Sequence, residues 1–260
     1  MTQAHRIRHV RVADTVAADL RSRILSGGFE SGILPTQNEI AAQWGVGLTS
    51  VREALRILES EGLITIRRGN QGGAEVHSPD VDSSAFSLGL SLQGSGTTVG
   101  ELGIALGHVE PLCARLCAEA DDRASIAAAL DDLNDRAFAA ADDELAFTRL
   151  AREFHSAVVD RCGNRAISLM VQSMVGLWTF QEEVWAREVA GEDSYPERSR
   201  RLEVVEAHRA VVRAIAEGDG DAAERATRAH LQAAQHYVIA SGGDTAIDVT
   251  RGTLRPTAAR

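Results

Sequence analysis

The chain has 260 residues, 44% of them apolar and 25% charged, with a formal net charge of −10. That is enough for one large or two modest domains. No run of about 18 apolar residues is present, which excludes a membrane-spanning helix, and the opening "MTQAHRIRHVRVADTV" lacks the apolar stretch of a secretory signal, so the chain is expected in the cytoplasm. The charge is uneven: residues 1–79 carry nine arginines against eight acids, residues 80–260 eighteen against twenty-nine. Only the opening segment suits a polyanion.

In chain order, "VADTVAADLRSRILSGG" places Val12, Val16, Leu20, Ile24 and Leu25 on one helical stripe that stops at Gly27-Gly28. A short strand follows. "GILPTQNEIAAQWGV" then has Thr36 as N-cap with Glu39 three residues on, the capping-box spacing, and predicts a short helix ending near Trp44-Gly45. "TSVREALRILESEGLI" sets Thr49, Arg52, Glu53 and Arg56 on one helix face and Val51, Ala54, Leu55 and Leu58 on the other. "LITIRR", "GNQGG" and "AEVH" read as strand, flexible tip and returning strand.

A short helix, a tight turn and a second helix with a polar outer face make a helix-turn-helix, to which the glycine-tipped hairpin adds a wing. Arg52 and Arg56 would face the major groove, where arginine pairs with guanine through two hydrogen bonds. Thr49 and Ser50 would meet phosphate at the helix N-terminus. Arg67 and Arg68 would bracket the neighbouring backbone or minor groove, with Gly69, Gly72 and Gly73 letting the tip come close. The competing account is that Arg52, Glu53, Arg56 and Glu59 form ion pairs on a solvated face.

"SPDVDSS" (78–84) reads as a linker. Beyond it the pattern is helical, with candidate helices over 85–93, 98–119, 123–140, 143–161, 165–189, 197–217 and 220–241. Short connections favour an antiparallel bundle. Residues 242–260 show no periodicity and read as a disordered tail. The fold class is therefore mainly α: a winged helix-turn-helix over 1–77 and an all-α antiparallel bundle over 85–241.

Within that second half, Cys113 and Cys117 stand one turn apart in apolar surroundings, as small core residues or as a redox or metal pair. Trp178, Phe180 and Trp185 share one long helix, with Phe154 and Phe138 elsewhere; they read as core or dimer packing, or as a ligand cage. His155, His208 and His230 lie in three different helices. They are either separately satisfied or a three-imidazole site for a borderline metal with open positions. Such a trio has no negative charge of its own, so an ion there would favour a carboxylate from solvent. An all-α metal-dependent enzyme using these histidines is the alternative function, although no nucleophile–base pair accompanies them.

The run from "ADLRSRILSGGFESGILPTQNEIAAQWGV" through "TSVREALRILESEGLITIRRGNQGGAEV" resembles the winged-helix domain of the GntR superfamily of bacterial repressors, with LPTQ, VREAL, LESEGLI and the glycine wing in order. "EFHSAVVDRCGN" and "EAHRAVVRAIAEGDGDAAERATRAHL" resemble the effector domain of its FadR branch, the FCD type. The resemblance implies DNA contacts at Asn38, Thr49, Ser50, Arg52, Arg68 and Gly69. Gly47 and Leu48 depart from the Ser or Thr and then Arg that the family commonly has there. It further implies a homodimer on a palindromic double-stranded operator and a small organic acid as effector.

Metal-holding members of the branch use an Asp one turn before the first of three histidines. Here the histidines match, but the Asp position is Ala151. A divalent metal (zinc, nickel or manganese) is thus expected on His155, His208 and His230 with one protein ligand missing. The family's carboxylate-holding arginine has no counterpart at Leu106, Gly107 or His108: either Arg149, Arg152 or His108 substitutes as effector contact, or the ligand is not a small simple acid.

Overall fold

The computed structural model describes residues 11–67, 73–77, 80–189 and 197–250, without the side chains of residues 184–189, Tyr237 and Ser241. Arg68, Gly69, Gly72 and the Trp185 side chain therefore lie outside the described residues. The chain divides into two compact units, with the change of unit between Ser83 and Ser84.

The first unit contains α1 (Val12–Leu25), α2 (Gln37–Trp44), α3 (Leu48–Ser60), β1 (Ile64–Ile66) and β2 (Ala74–Val76). The stripe of α1 buries Val16, Leu20 and Ile24 against the buried faces of α2 and α3. Val12 and Leu25, expected on that stripe, are instead 52% and 59% exposed. Both are at the helix ends, where the partner helices no longer cover them.

Thr36 caps α2 with the reciprocal Glu39 box, and Gly45 ends that helix in the left-handed conformation at φ 64°. On α3, Val51, Ala54, Leu55 and Leu58 are buried, as their spacing requires. β1 and β2 pair antiparallel, with Thr65 opposite Glu75. The short strand expected before α2 is reduced to a single bridge between Ile33 and Glu75, with Leu34 N–H donating to the Ala74 carbonyl at 2.8 Å. Pro35 comes next and cannot donate to extend the pairing.

The second unit is helical among the described residues: α4 (Val81–Gly94), α5 (Val99–Glu119), α6 (Arg123–Ala139), α7 (Glu144–Asp160), α8 (Arg165–Val189), α9 (Arg198–Glu217) and α10 (Gly220–Gly242). The start of α4 at Val81 takes up residues expected in the linker, helped by Asp80, which accepts from the Ser83 N–H at 2.7 Å. α5 runs through the centre, packed on α8, α9 and α10. Its core residues Leu102, Leu106, Cys113 and Cys117 meet Leu130, Phe154, Leu177 and Ile215.

Pro111 lies inside α5 and has no N–H for the carbonyl of Gly107 one turn back. Arg228 of α10 donates to that carbonyl at 3.0 Å, so the broken helical bond is replaced by one between helices. The expected disordered tail does not hold for residues 243–250. Ile247 and Val249 are buried, and the Val99 N–H donates to Thr245 at 2.9 Å. Two apolar residues spaced by two, not a helical period, supply the packing that a search for helical periodicity passes over. Among the described residues no helix is long and apolar enough to cross a membrane.

Candidate functional site

In the first unit, the buried face of α3 leaves Thr49, Arg52, Glu53 and Arg56 outward and exposed, with Ser50 half-buried at the first turn. Gly47 precedes the helix and offers no side-chain cap, while its carbonyl accepts from the Ser50 and Val51 N–H groups at 3.0 and 3.2 Å. Asn38 is exposed in the first turn of α2. Arg52 Nε donates to Gln37 Oε1 at 3.2 Å, linking the two helices across the turn. Arg56 is only 3.7 Å from Glu53 in an exposed pair, and surface pairs of this kind hold an arginine weakly.

Glu59, expected in such a pair, instead accepts from the Ile66 N–H at 3.1 Å and fastens the wing to α3. Arg67 is paired with Glu75 of the returning strand at 2.6 Å. At the far end of α3, Arg21 forms a two-pronged bond with Glu61 at 2.8 and 2.6 Å, fixing α1 to the helix.

In the second unit the three histidines converge. His155 is on α7, His208 on α9 and His230 on α10. His230 Nε2 lies 3.1 Å from His208 Nε2 and 3.2 Å from His155 Nε2. The rings of His155 and His230 stack at 10° between planes, and His208 stands edge-on to both. Phe154 covers the other face of His208, stacked at 3.9 Å between centroids. Their ligand nitrogens all lie within 4.8 Å of one another.

The electrostatics differ from ring to ring. Burial pushes the His208 imidazolium well below its ordinary range, and the neighbouring His155 and His230 push it further. Burial, then His155, lowers His230 to about 3. Both are therefore neutral near pH 7, with lone pairs available. Burial also works against a charged His155, but the Glu110 carboxylate 2.6 Å from its Nδ1 outweighs it, with Glu182 adding, and the pKa is raised.

The donor set fits a divalent metal. Metal–nitrogen bonds of about 2.0–2.1 Å in a tetrahedron put nitrogens about 3.3–3.4 Å apart, close to the two separations at His230. The fourth protein position is apolar, because Ala151 packs with the satellite cluster of Phe147, Leu150 and Val205.

The candidate carboxylate contacts are placed differently. Arg149 is 61% exposed and paired with Glu153. His108 faces outward beside Arg228, 3.2 Å from its Nη1. Arg152 alone shares a partner with the histidines: it is half-buried between Glu182, which also acts on His155, at 3.4 Å and Glu183 at 3.2 Å. Burial raises Glu182 above the usual carboxylate range, with Arg152 pulling the other way.

Glu110 and Glu182 are the site residues that sequence reasoning missed. The signal for Glu110 was present: it is an acid on the inner stripe that runs Leu106, Glu110, Cys113, Cys117. Cys113 and Cys117 are buried core thiols whose pKa burial pushes up, Cys117 to about 12. Trp178, Phe180 and Phe154 are core, whereas Phe138 is half exposed under the Arg209 guanidinium.

Comparison with known proteins agrees with both halves. Residues 12–74 match the family described as bacterial regulatory proteins, gntR family, and residues 104–233 match the FCD domain. The HTH-type transcriptional repressor NanR of Klebsiella aerogenes is 28% identical over 231 residues, covering 85% of this chain and 83% of the relative. The gluconate operon transcriptional repressor of Bacillus subtilis is 51% identical over 53 residues, 20% of this chain and 22% of that protein. The structure of Streptococcus agalactiae GntR shares the fold, with a TM-score of 0.63 at 24% identity over 86% of this chain and 99% of that one. The reading as a metal-dependent enzyme finds no support among these regulators. A winged helix-turn-helix joined to an FCD domain makes this chain a member of the GntR family of bacterial transcriptional regulators, in its FadR-type branch.

Proposed function

We propose that this regulator is a repressor that binds a palindromic operator as a homodimer and is modulated by a small organic acid held at the histidine centre of the helical unit. The observation that carries the effector half is the convergence of three neutral-capable Nε2 atoms beside an apolar Ala151. A divalent metal (zinc, nickel or manganese) held by His155, His208 and His230 would supply a Lewis-acidic position for a carboxylate oxygen. Arg152, the one candidate arginine that shares Glu182 with His155, would orient the rest of the acid. Arg149 and His108 are assigned lesser parts, since both face solvent in other pairings.

For DNA, the exposed face of α3 supports base contacts by Arg52 and Arg56. Thr49, Ser50 and Asn38 would meet phosphate, and Arg67, Arg68 and Gly69 of the wing would meet the flanking backbone. A single winged unit buries too little surface for tight specific binding, which is the argument for a dimer on two half-sites. The target is chromosomal DNA, so this reading places the chain in the cytoplasm.

Light scattering is expected to give about twice the 27.8 kDa of the chain. Arg52→Ala is expected to weaken operator binding by about 1–3 kcal/mol per half-site and to relax the preference at one base pair. Unchanged affinity and preference in a fluorescence-anisotropy titration would refute the docking of α3.

A further inference from the structure

The three histidines account for one side of the centre, but α5 reaches it as well. Glu110 is 2% exposed, a carboxylate in the core of a helical unit whose neighbours along the same stripe are Leu106 and Cys113. Burying a carboxylate is costly unless it is used. Its Oε1 lies 2.6 Å from His155 Nδ1, on the side of the ring opposite the nitrogen that faces His230. His155 Nδ1 donating to Glu110 leaves its Nε2 as a lone pair turned into the cluster.

Resting on the metal reading above, we propose that Glu110 is the positioning residue of this centre. It fixes the tautomer and ring angle of His155, and it supplies from the outer side of that ring the negative charge that Ala151 does not supply at the ion. The imidazole trio has no negative charge of its own, and Glu110 adds one beside it.

The chemistry follows from where the charge sits. A carboxylate bonded directly to an ion would fill a coordination position. A carboxylate on the far nitrogen of a ligand raises the basicity of that ligand and leaves the position open. Glu110 with Ala151 thus gives a site that retains an ion and still presents a vacancy to an incoming oxygen. The bonding pattern of α5 supports a positioning role. Pro111 follows Glu110 directly and frees the Gly107 carbonyl, which Arg228 takes at 3.0 Å. Arg228 belongs to α10, the helix of His230, so the segment carrying Glu110 is tied to a second helix of the centre.

The test uses the full-length protein, with Glu110→Gln as the variant of matching shape and Glu110→Leu as the apolar one. Two readouts are taken. Zinc affinity is measured by competition with a chromophoric chelator, and the ring nitrogens of His155 are followed by 15N NMR in metal-free protein. Glu110→Gln is expected to lower zinc affinity about 10-fold and Glu110→Leu up to about 100-fold. In both, His155 is expected to change from a single Nδ1–H form to a mixture of tautomers.

Zinc affinity within twofold of the parent in Glu110→Gln, with the His155 signals unchanged, overturns the proposal. If the parent itself holds no zinc, the metal reading fails, and the nitrogen signals then decide the orienting role alone: unchanged in Glu110→Gln they overturn it, mixed they uphold it. Should Glu110→Leu not fold, the Gln variant carries both readouts.

Discussion

Acid should unfold the metal-free protein earlier than its carboxylates alone would dictate, and the size of the effect follows from the histidine centre. In the unfolded chain His208 and His230 take up protons as the pH falls through about 6.5. In the folded chain burial keeps both neutral, His230 down to about 3. The unfolded state therefore binds more protons, and stability falls as the pH is lowered below 6.5.

Each unit of pH costs about 1.36 kcal/mol per such group. Between pH 6.5 and 5 that is about 2 kcal/mol for His230, and His208, also held low by burial, adds in the same direction. His155 has the opposite sign: its raised pKa stabilises the fold below 6.5 and the benefit is lost as the pH rises through the folded value. It adds no slope in this window. Carboxylates held low by hydrogen bonds, such as Glu39 and Asp80, lose their contribution only at lower pH.

Against a typical total of about 5–15 kcal/mol, even about 2 is a large share. The assay is urea unfolding of chelator-treated protein at pH 6.5 and 5.0, followed by circular dichroism. His230→Leu should reduce the pH dependence. A change below about 1 kcal/mol in the parent, or an equal slope in His230→Leu, would show that these imidazoles are not buried neutral.

Ala151→Asp is expected to strengthen zinc retention and to weaken the zinc-dependent part of binding to small mono- and dicarboxylic acids, since the new carboxylate takes the position they would use; calorimetry with and without zinc reads both, and unchanged acid binding would refute the shared position. Ile247→Ala is expected to destabilise the helical unit by about 2–5 kcal/mol in urea melts, although it lies beyond the last helix, because its side chain is fully buried.

The winged unit was legible because each of its elements carries its own punctuation. The Thr36–Glu39 box, Gly45 and the two-faced spacing of α3 all act within a few residues. The long helices were legible for the same reason. What escaped depended on distant partners. Nothing near Ile247 says that Thr97 and Val99 will meet its segment, and nothing near Glu59 says that it will hold the wing by Ile66. The convergence of the three histidines came through family resemblance, because spacing within each helix cannot show which helix faces which. Glu110 shows nothing of its role within α5, because its partner His155 lies 45 residues further along the chain.

The histidine centre also has a place in time. Its closest contacts join residues 45, 75 and 22 positions apart in the chain, and four separate helices must be docked before all of them exist. Contacts of such long sequence separation carry a high loop-closure cost and form late in folding. Interactions absent from the folding transition state act on the rate of unfolding and leave the rate of folding nearly untouched. Anything bound among these four helices therefore prolongs the lifetime of the folded effector unit without helping it to form.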